Sequence, residues 1–156
     1  MKGFNAVIID PAGQADLLEK YFAVRRAVFV EEQNVDISIE IDEFETAPGT
    51  VHLAVLNGNG ECAGAGRLVE YSGGPLREAK TVKLGRVCVL KEFRGLGLGE
   101  LIVEKLIETA RERGYEEIVL HSQVYVCGLY EKFGFTRRGD IFKEAGIEHI
   151  EMSARI

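Results

Sequence analysis

The sequence predicts an α/β sandwich built around one mixed sheet. Three observations carry that expectation. Short β-rich runs recur, the clearest being residues 51–57 and 61–70 around Gly58-Asn59-Gly60, a strong hairpin signal. Residues 97–113 repeat apolar side chains at helical spacing. Strands and helices also interleave before a closing hairpin, the order of a single mixed sheet covered by helices. With 156 residues the chain suits one domain, 1–156, large enough to bury a core.

Taken in order, residues 4–10 (FNAVIID) read as a strand. Asp16 and Glu19 have the spacing of a capping box. Leu17, Tyr21, Val24 and Val28 then place an amphipathic helix over 16–30. Residues 31–45 hold seven acids and no Lys or Arg, with Ile37, Ile39, Ile41 and Phe44 alternating among them. Two readings are open there: a solvated loop, or an ordered lid whose carboxylates, Glu40 and Asp42, attract a cationic acceptor. After the 51–57 and 61–70 hairpin comes a loop at 72–79 with Gly73, Gly74 and Pro75. Residues 81–90 form a central strand. In the 97–113 helix, Leu98, Ile102, Leu106 and Ala110 make one apolar line, and Gly114 is a natural stop. A strand at 117–121, a short helix at 125–133 and strands at 135–142 and 147–155 complete the chain.

Composition narrows the function. Hydrophobic and charged fractions of 46% and 28% are those of an ordinary globular protein. No apolar stretch approaches the roughly 18 residues of a membrane span, and the N-terminal apolar run is broken by Asp10 and Pro11, so a cytoplasmic protein without membrane association is expected. A net charge of −6 argues against nucleic acid. Cys62, Cys88 and Cys127 have neither disulfide nor zinc spacing, so no metal is expected.

The informative stretch runs from Val87 to Gly99. A strand leads into a glycine-rich turn, and the turn opens a helix. Glycines allow positive φ and close approach of a ligand. The first helical N–H groups lack internal partners and favour an anion, and Arg94 adds a charge that can reach phosphate. Residues 94–100 thus have the chemistry of a diphosphate cradle. Gly95, Gly97 and Gly99 do not match the G-x-G-x-x-G dinucleotide spacing, and Glu100 stands where a Walker A loop needs Lys. A turn that merely packs helix on strand is the structural alternative.

Arg94-Gly95-Leu96-Gly97-Leu98-Gly99 resembles the R/Q-x-x-G-x-G/A signature of the GNAT superfamily of N-acetyltransferases. Leu129-Tyr130-Glu131-Lys132-Phe133-Gly134-Phe135 is similar to that superfamily's tyrosine helix followed by Gly-Phe. More narrowly, residues 26–35 (RAVFVEEQNV), Glu40-Ile41-Asp42-Glu43, Gly85-Arg86-Val87 and Gly146-Ile147-Glu148-His149 resemble the ElaA-like and YjcF-like branch, which often has Pro where Glu148 stands. The resemblance covers most of the chain. It implies the GNAT acyl-CoA N-acyltransferase fold, a mixed sheet of about six to seven strands flanked by about four helices.

It also implies an acetyl-CoA-dependent N-acetyltransferase acting on the amine of a small-molecule acceptor, with no metal. Val87, Cys88 and Val89 would be one arm of a V that holds pantetheine as an added strand does, with the Val89 amide polarising the thioester carbonyl. Arg94, Gly95, Leu96, Gly97, Leu98, Gly99 and Glu100 would hold the diphosphate. Gln123 stands where the superfamily usually has Asn. Tyr130 would be the general acid for the leaving thiolate; its structural alternative is packing within its own helix.

A base is also required. An amine of pKa about 10.4 costs roughly 4.6 kcal/mol to deprotonate at pH 7. Ile118 occupies the position where some members carry a glutamate base. The candidates are therefore His121, Glu32, Glu40, Asp42 and His149, the last expected to face solvent from its strand alternation. The resemblance is compatible with a homodimer. Two rivals stand beside this reading. One is a non-catalytic acetyl-CoA-binding module. The other is an acyl-homoserine lactone synthase, a kind of enzyme that shares the fold, uses acyl carrier protein and S-adenosylmethionine, and has a degenerate diphosphate loop.

Overall fold

A computed structural model describes residues 3–71 and 80–156; the loop expected at 72–79 lies outside the described residues. Seven strands form one sheet in the order β1-β2-β3-β4-β5-β7-β6. They are β1 (Phe4–Ile8), β2 (Val51–Asn57), β3 (Cys62–Glu70), β4 (Thr81–Val89), β5 (Glu117–Gln123), β6 (Thr136–Glu144) and β7 (Ile147–Arg155). Every neighbouring pair is antiparallel except β4 and β5. That parallel pair needs a crossover, which helix α3 (Leu98–Glu112) supplies. The helix stripe read from sequence is its buried face. Ile102, Leu106 and Ala110 are fully buried against Leu53, Leu68, Leu84, Ile118 and Met152. Gly66 lets this helix approach, since a Cβ there would lie 2.7 Å from Ile102 Cγ2 and 3.0 Å from Leu106 Cδ1.

Helix α1 (Ala15–Arg25) covers the opposite face, packing Tyr21 and Val24 on Ala54, Ala65 and Cys88. Two expectations fail here. The Asp16–Glu19 capping box does not form; Gln14 is the N-cap, and its Oε1 accepts the Asp10 N–H instead. The helix predicted over 16–30 also widens into a π turn over Arg26–Glu32, closed by the Gln33 N–H on the Val28 carbonyl at 3.1 Å. Such widening is frequent at functional sites, and here Phe29, Glu32 and Gln33 line the cleft described below.

The acidic segment is ordered, as one of its two readings required, but its polarity is inverted. Ile37 and Ile39 are 46% and 50% exposed, whereas Glu40 is 1% exposed. Asp36 caps the short helix α2 (Ile37–Glu40), and Asp42 with Glu45 forms the true capping box of this region. The β2–β3 hairpin closes as predicted: the Asn57 side chain accepts from the Asn59 and Glu61 amides at 2.9 Å. The short helix α4 is confined to Cys127–Glu131. The three cysteines are free and buried, and no helix among the described residues is long and apolar enough to cross a membrane.

Candidate active site

Strands β4 and β5 pair only from Thr81↔Glu117 to Leu84↔Leu120. Beyond that point each keeps its outer neighbour, β4 with β3 to Val89↔Gly64 and β5 with β7 to Gln123↔His149. Their inner edges therefore open into a V. Arg86 marks the split: its φ is +56°, and the β3–β4 register shifts beside it, a β-bulge that bends the strand away. The Leu90 amide bonds to Ala63 O at 2.9 Å. Amide direction alternates along a strand, so the Val89 N–H points the other way, into the opening. A cleft of about 840 Å³ runs through the V, from Gly99 and Arg94 at one end to Lys83, His121 and Glu144 at the other.

At the Gly99 end the sequence reading of residues 94–100 meets a matching backbone. Gly95 and Gly97 both have φ +81°, and Gly97 is the left-handed N-cap of α3. The first intrahelical bond is Leu101 N to Gly97 O, so among the described residues the amides of 95–100 donate to no protein group, as the geometry of a helix start dictates. Arg94 departs from expectation. Its fork grips Glu32 through two bonds of 2.7 Å, and its Nε donates to Val89 O at 2.9 Å. The same pairing undercuts Glu32 as a base: the hydrogen bond from Arg94 holds its carboxyl below the usual range. Glu32 instead ties the π turn to the loop. Glu100 pairs with Lys132 at 2.7 Å, which puts an unforeseen cation beside the helix start.

Tyr130 on α4 lines the cleft and is 7% exposed. Burial raises its pKa, so it is protonated at neutral pH. Among the described residues no protein group hydrogen-bonds its hydroxyl, and its ring stands edge-on to Phe135. Gln123 donates to Gln33 Oε1 at 2.9 Å and accepts from the Tyr125 hydroxyl. His121 lines the cleft from β5, with Nδ1 3.0 Å from Glu144 and Nε2 3.4 Å from Glu151. His149 does not face solvent; it is 7% exposed, stacked on Phe142, with Nδ1 on Ile147 O. Alternation assigned its face correctly but could not foresee the Phe142 ring stacked on it.

Glu40 and Asp42 are not free to attract a cation. Arg25 Nε donates to Glu40 Oε1 at 2.8 Å, and Arg86 Nε lies 3.2 Å from the same oxygen. Arg67 and Arg86 both pair with Asp42, at 2.8 and 3.3 Å. Arg25 also grips Glu45 and Tyr21. Burial pushes the His52 pKa down, so its ring is neutral. Its Nε2–H donates to Glu45 O, and its Nδ1 accepts from the Tyr21 hydroxyl. Burial alone would raise the Glu45 and Asp42 carboxyls, but Arg25 and Arg67 respectively hold them below their ordinary values.

Sequence reasoning missed Arg25, Arg67, Lys83 and Glu144. The usable signal was weak: Arg67 and Lys83 are charges inside otherwise apolar β runs, positions that alternation places on one covered face.

The acetyltransferase (GNAT) domain family matches residues 24–156. The uncharacterized N-acetyltransferase YjcF of Bacillus subtilis is 35% identical over 142 residues, 90% of this chain and 94% of that one. Escherichia coli ElaA superposes with a TM-score of 0.82 at 24% identity, covering 96% of this chain and 98% of that one. BjaI, a CoA-dependent acyl-homoserine lactone synthase, superposes with a TM-score of 0.75 at 19% identity, covering 97% and 84%. Dependence on acyl carrier protein therefore does not mark off such synthases as a group.

Proposed function

This chain belongs to the acetyltransferase (GNAT) domain family, and from that membership we propose that it moves the acetyl group of acetyl-CoA onto the amine of a small acceptor by direct attack on the thioester. The observation that carries this reading is the V between β4 and β5, open at the free amides of residues 95–100. A diphosphate fits such a helix start. The inward-facing edge of Val87 to Val89 suits the pantetheine amides, with the Val89 N–H available to the thioester carbonyl oxygen. Acetyl-CoA supplies the activated acyl carbon.

The rest is the work of this chain's side chains. The amine nitrogen bonds to the acyl carbon as the carbon–sulfur bond breaks. Tyr130 gives its hydroxyl proton to the departing sulfur and regains one from solvent. His121, held by Glu144, takes the proton that the attacking amine sheds. A lone binding module would have no use for a protonated tyrosine hydroxyl that, among the described residues, is left without a protein partner in the cleft.

The test pairs calorimetry with turnover. Acetyl-CoA should bind wild type and Tyr130→Phe alike, while the substitution lowers kcat by about 10²-fold or more. Binding without turnover on any amine would favour a sensor, and an intact kcat in Tyr130→Phe would remove the acid from its role.

A further inference from the structure

Among the described residues, the His121 end of the cleft carries one cation without a match. Lys83 lies on β4, just before the last β4–β5 pair, Leu84↔Leu120. Among the described residues its ammonium has no hydrogen-bond or ion-pair partner, and it lies 5.9 Å from the centroid of the Tyr71 ring. The other cleft cations are all matched: Arg67 by Asp42 and Glu45, Arg86 by Glu40 and Asp42, Arg94 by Glu32. Burial lowers the Lys83 pKa, while Glu144 and Glu151 act on it only at longer range. A desolvated ammonium left unpaired is costly, and in a cleft it marks a place where a ligand brings the counter-charge.

His121 follows Leu120 on β5, across the split from Lys83. Val82, Leu84 and Leu120 point into the α3 core, so by alternation Lys83 and His121 both face the other side, the acceptor side. One spot at the apex of the V is thus flanked by a cation on β4 and by the carboxylates Glu144 and Glu151 around His121. We propose that the acceptor is a free amino acid, its α-carboxylate seated on the Lys83 ammonium and its α-ammonium against the His121–Glu144 pair. This rests on the acyltransferase reading above and names its substrate class. A simple amine leaves Lys83 unmatched, a polyamine is repelled by it, and a protein N-terminus has an amide where the carboxylate is needed. A zwitterion answers both charges with groups two bonds apart. Val69, opposite Lys83 in register, and the exposed Ile39 and Phe44 line the same cleft and suit an apolar side chain.

The reaction balances simply. The α-ammonium yields one proton to His121, the nitrogen bonds to the acetyl carbon, and the carbon–sulfur bond breaks. The departing sulfur takes the Tyr130 hydroxyl proton and coenzyme A leaves as the thiol; the second nitrogen proton returns to Tyr130 through solvent, His121 releases its own to solvent, and the product is the N-acetyl amino acid.

The test compares L-leucine and L-phenylalanine with their α-amides and with the amines lacking the carboxylate, using acetyl-CoA and mass spectrometry of the product. The amino acids should exceed the amides in kcat/KM by about ten- to a hundredfold, the range for a charge-assisted contact. Lys83→Met should erase that preference through KM and leave acetyl-CoA binding unchanged. Lys83→Arg should keep part of the preference. Equal or faster reaction of amides or plain amines, or a preference that survives Lys83→Met, overturns the inference and spares the acyltransferase reading. Acetyl-CoA binding with no amino acid acetylated also overturns it. Absence of acetyl-CoA binding takes down both.

Discussion

Arg25→Met should destabilise the protein more than any single change at the cleft surface. Arg25 is fully buried and donates to four groups: Glu40 Oε1 and Glu40 O at 2.8 Å, the Glu45 carboxylate at 2.7 and 2.8 Å, and the Tyr21 hydroxyl at 3.2 Å. Methionine fills much of the volume but leaves the Glu40 and Glu45 carboxylates without this partner. Glu40 is the more exposed to the loss, because its Oε2 is already the one buried side-chain oxygen among the described residues with no hydrogen bond. Removing one partner from a buried ion pair costs about 3–5 kcal/mol. For a chain of this size each kcal/mol moves Tm by roughly 2–4 °C, so Tm should fall by about 6–20 °C. Thermal melts followed by circular dichroism, with urea titration beside them, measure it. A Tm within about 2 °C of wild type, less than a single kcal/mol would produce, would refute the claim that this network holds the α1 side of the fold together.

Stability should also fall in acid. The Glu45 and Asp42 carboxyls are held below their ordinary values in the folded state, so their contribution is present above the unfolded carboxylate pKa of about 4 and is lost as pH drops through the folded one. Tm measured from neutral pH downward should show that decline in wild type and a shallower one in Glu45→Gln. Gly66→Ala should lose about 1–3 kcal/mol by overpacking against Ile102, read from the urea midpoint at unchanged slope. Glu32→Gln should leave kcat intact and tighten acetyl-CoA binding at low salt by freeing Arg94; a collapse of kcat would restore Glu32 as a base.

The sheet and α3 were readable because period-two and period-3.6 patterns record burial directly, and Leu98, Ile102, Leu106 and Ala110 are all buried as that pattern requires. The turn at Gly95 and Gly97 was readable because positive φ leaves a compositional mark. The acidic segment was not. Its alternation of isoleucine and acid has two equivalent solutions, and the choice between them depends on Arg25, Arg67 and Arg86, which lie 15 to 47 residues away in sequence. Charge pairing at such separation has no local pattern. The same blindness made Arg94 look free for phosphate when Glu32, 62 residues earlier, holds it.

The buried network and the cleft are one construction. Arg86 stands at a φ of +56°, a conformation costly for a side chain with a Cβ. Its guanidinium bonds to Ile39 O, Glu40 O and Asp42 keep it there. The bulge it creates turns β4 from β5 one residue past Leu84 and aims the Val89 amide inward. Glycine would remove the φ penalty at this position but also the tether to the acidic segment, so the strained arginine persists because its side chain and its backbone serve the same opening. The carboxylates of residues 40–45 are thus consumed in holding three arginines, of which Arg67 and Arg86 line the cleft, and Lys83, outside that network, is left as the charge for a ligand to meet.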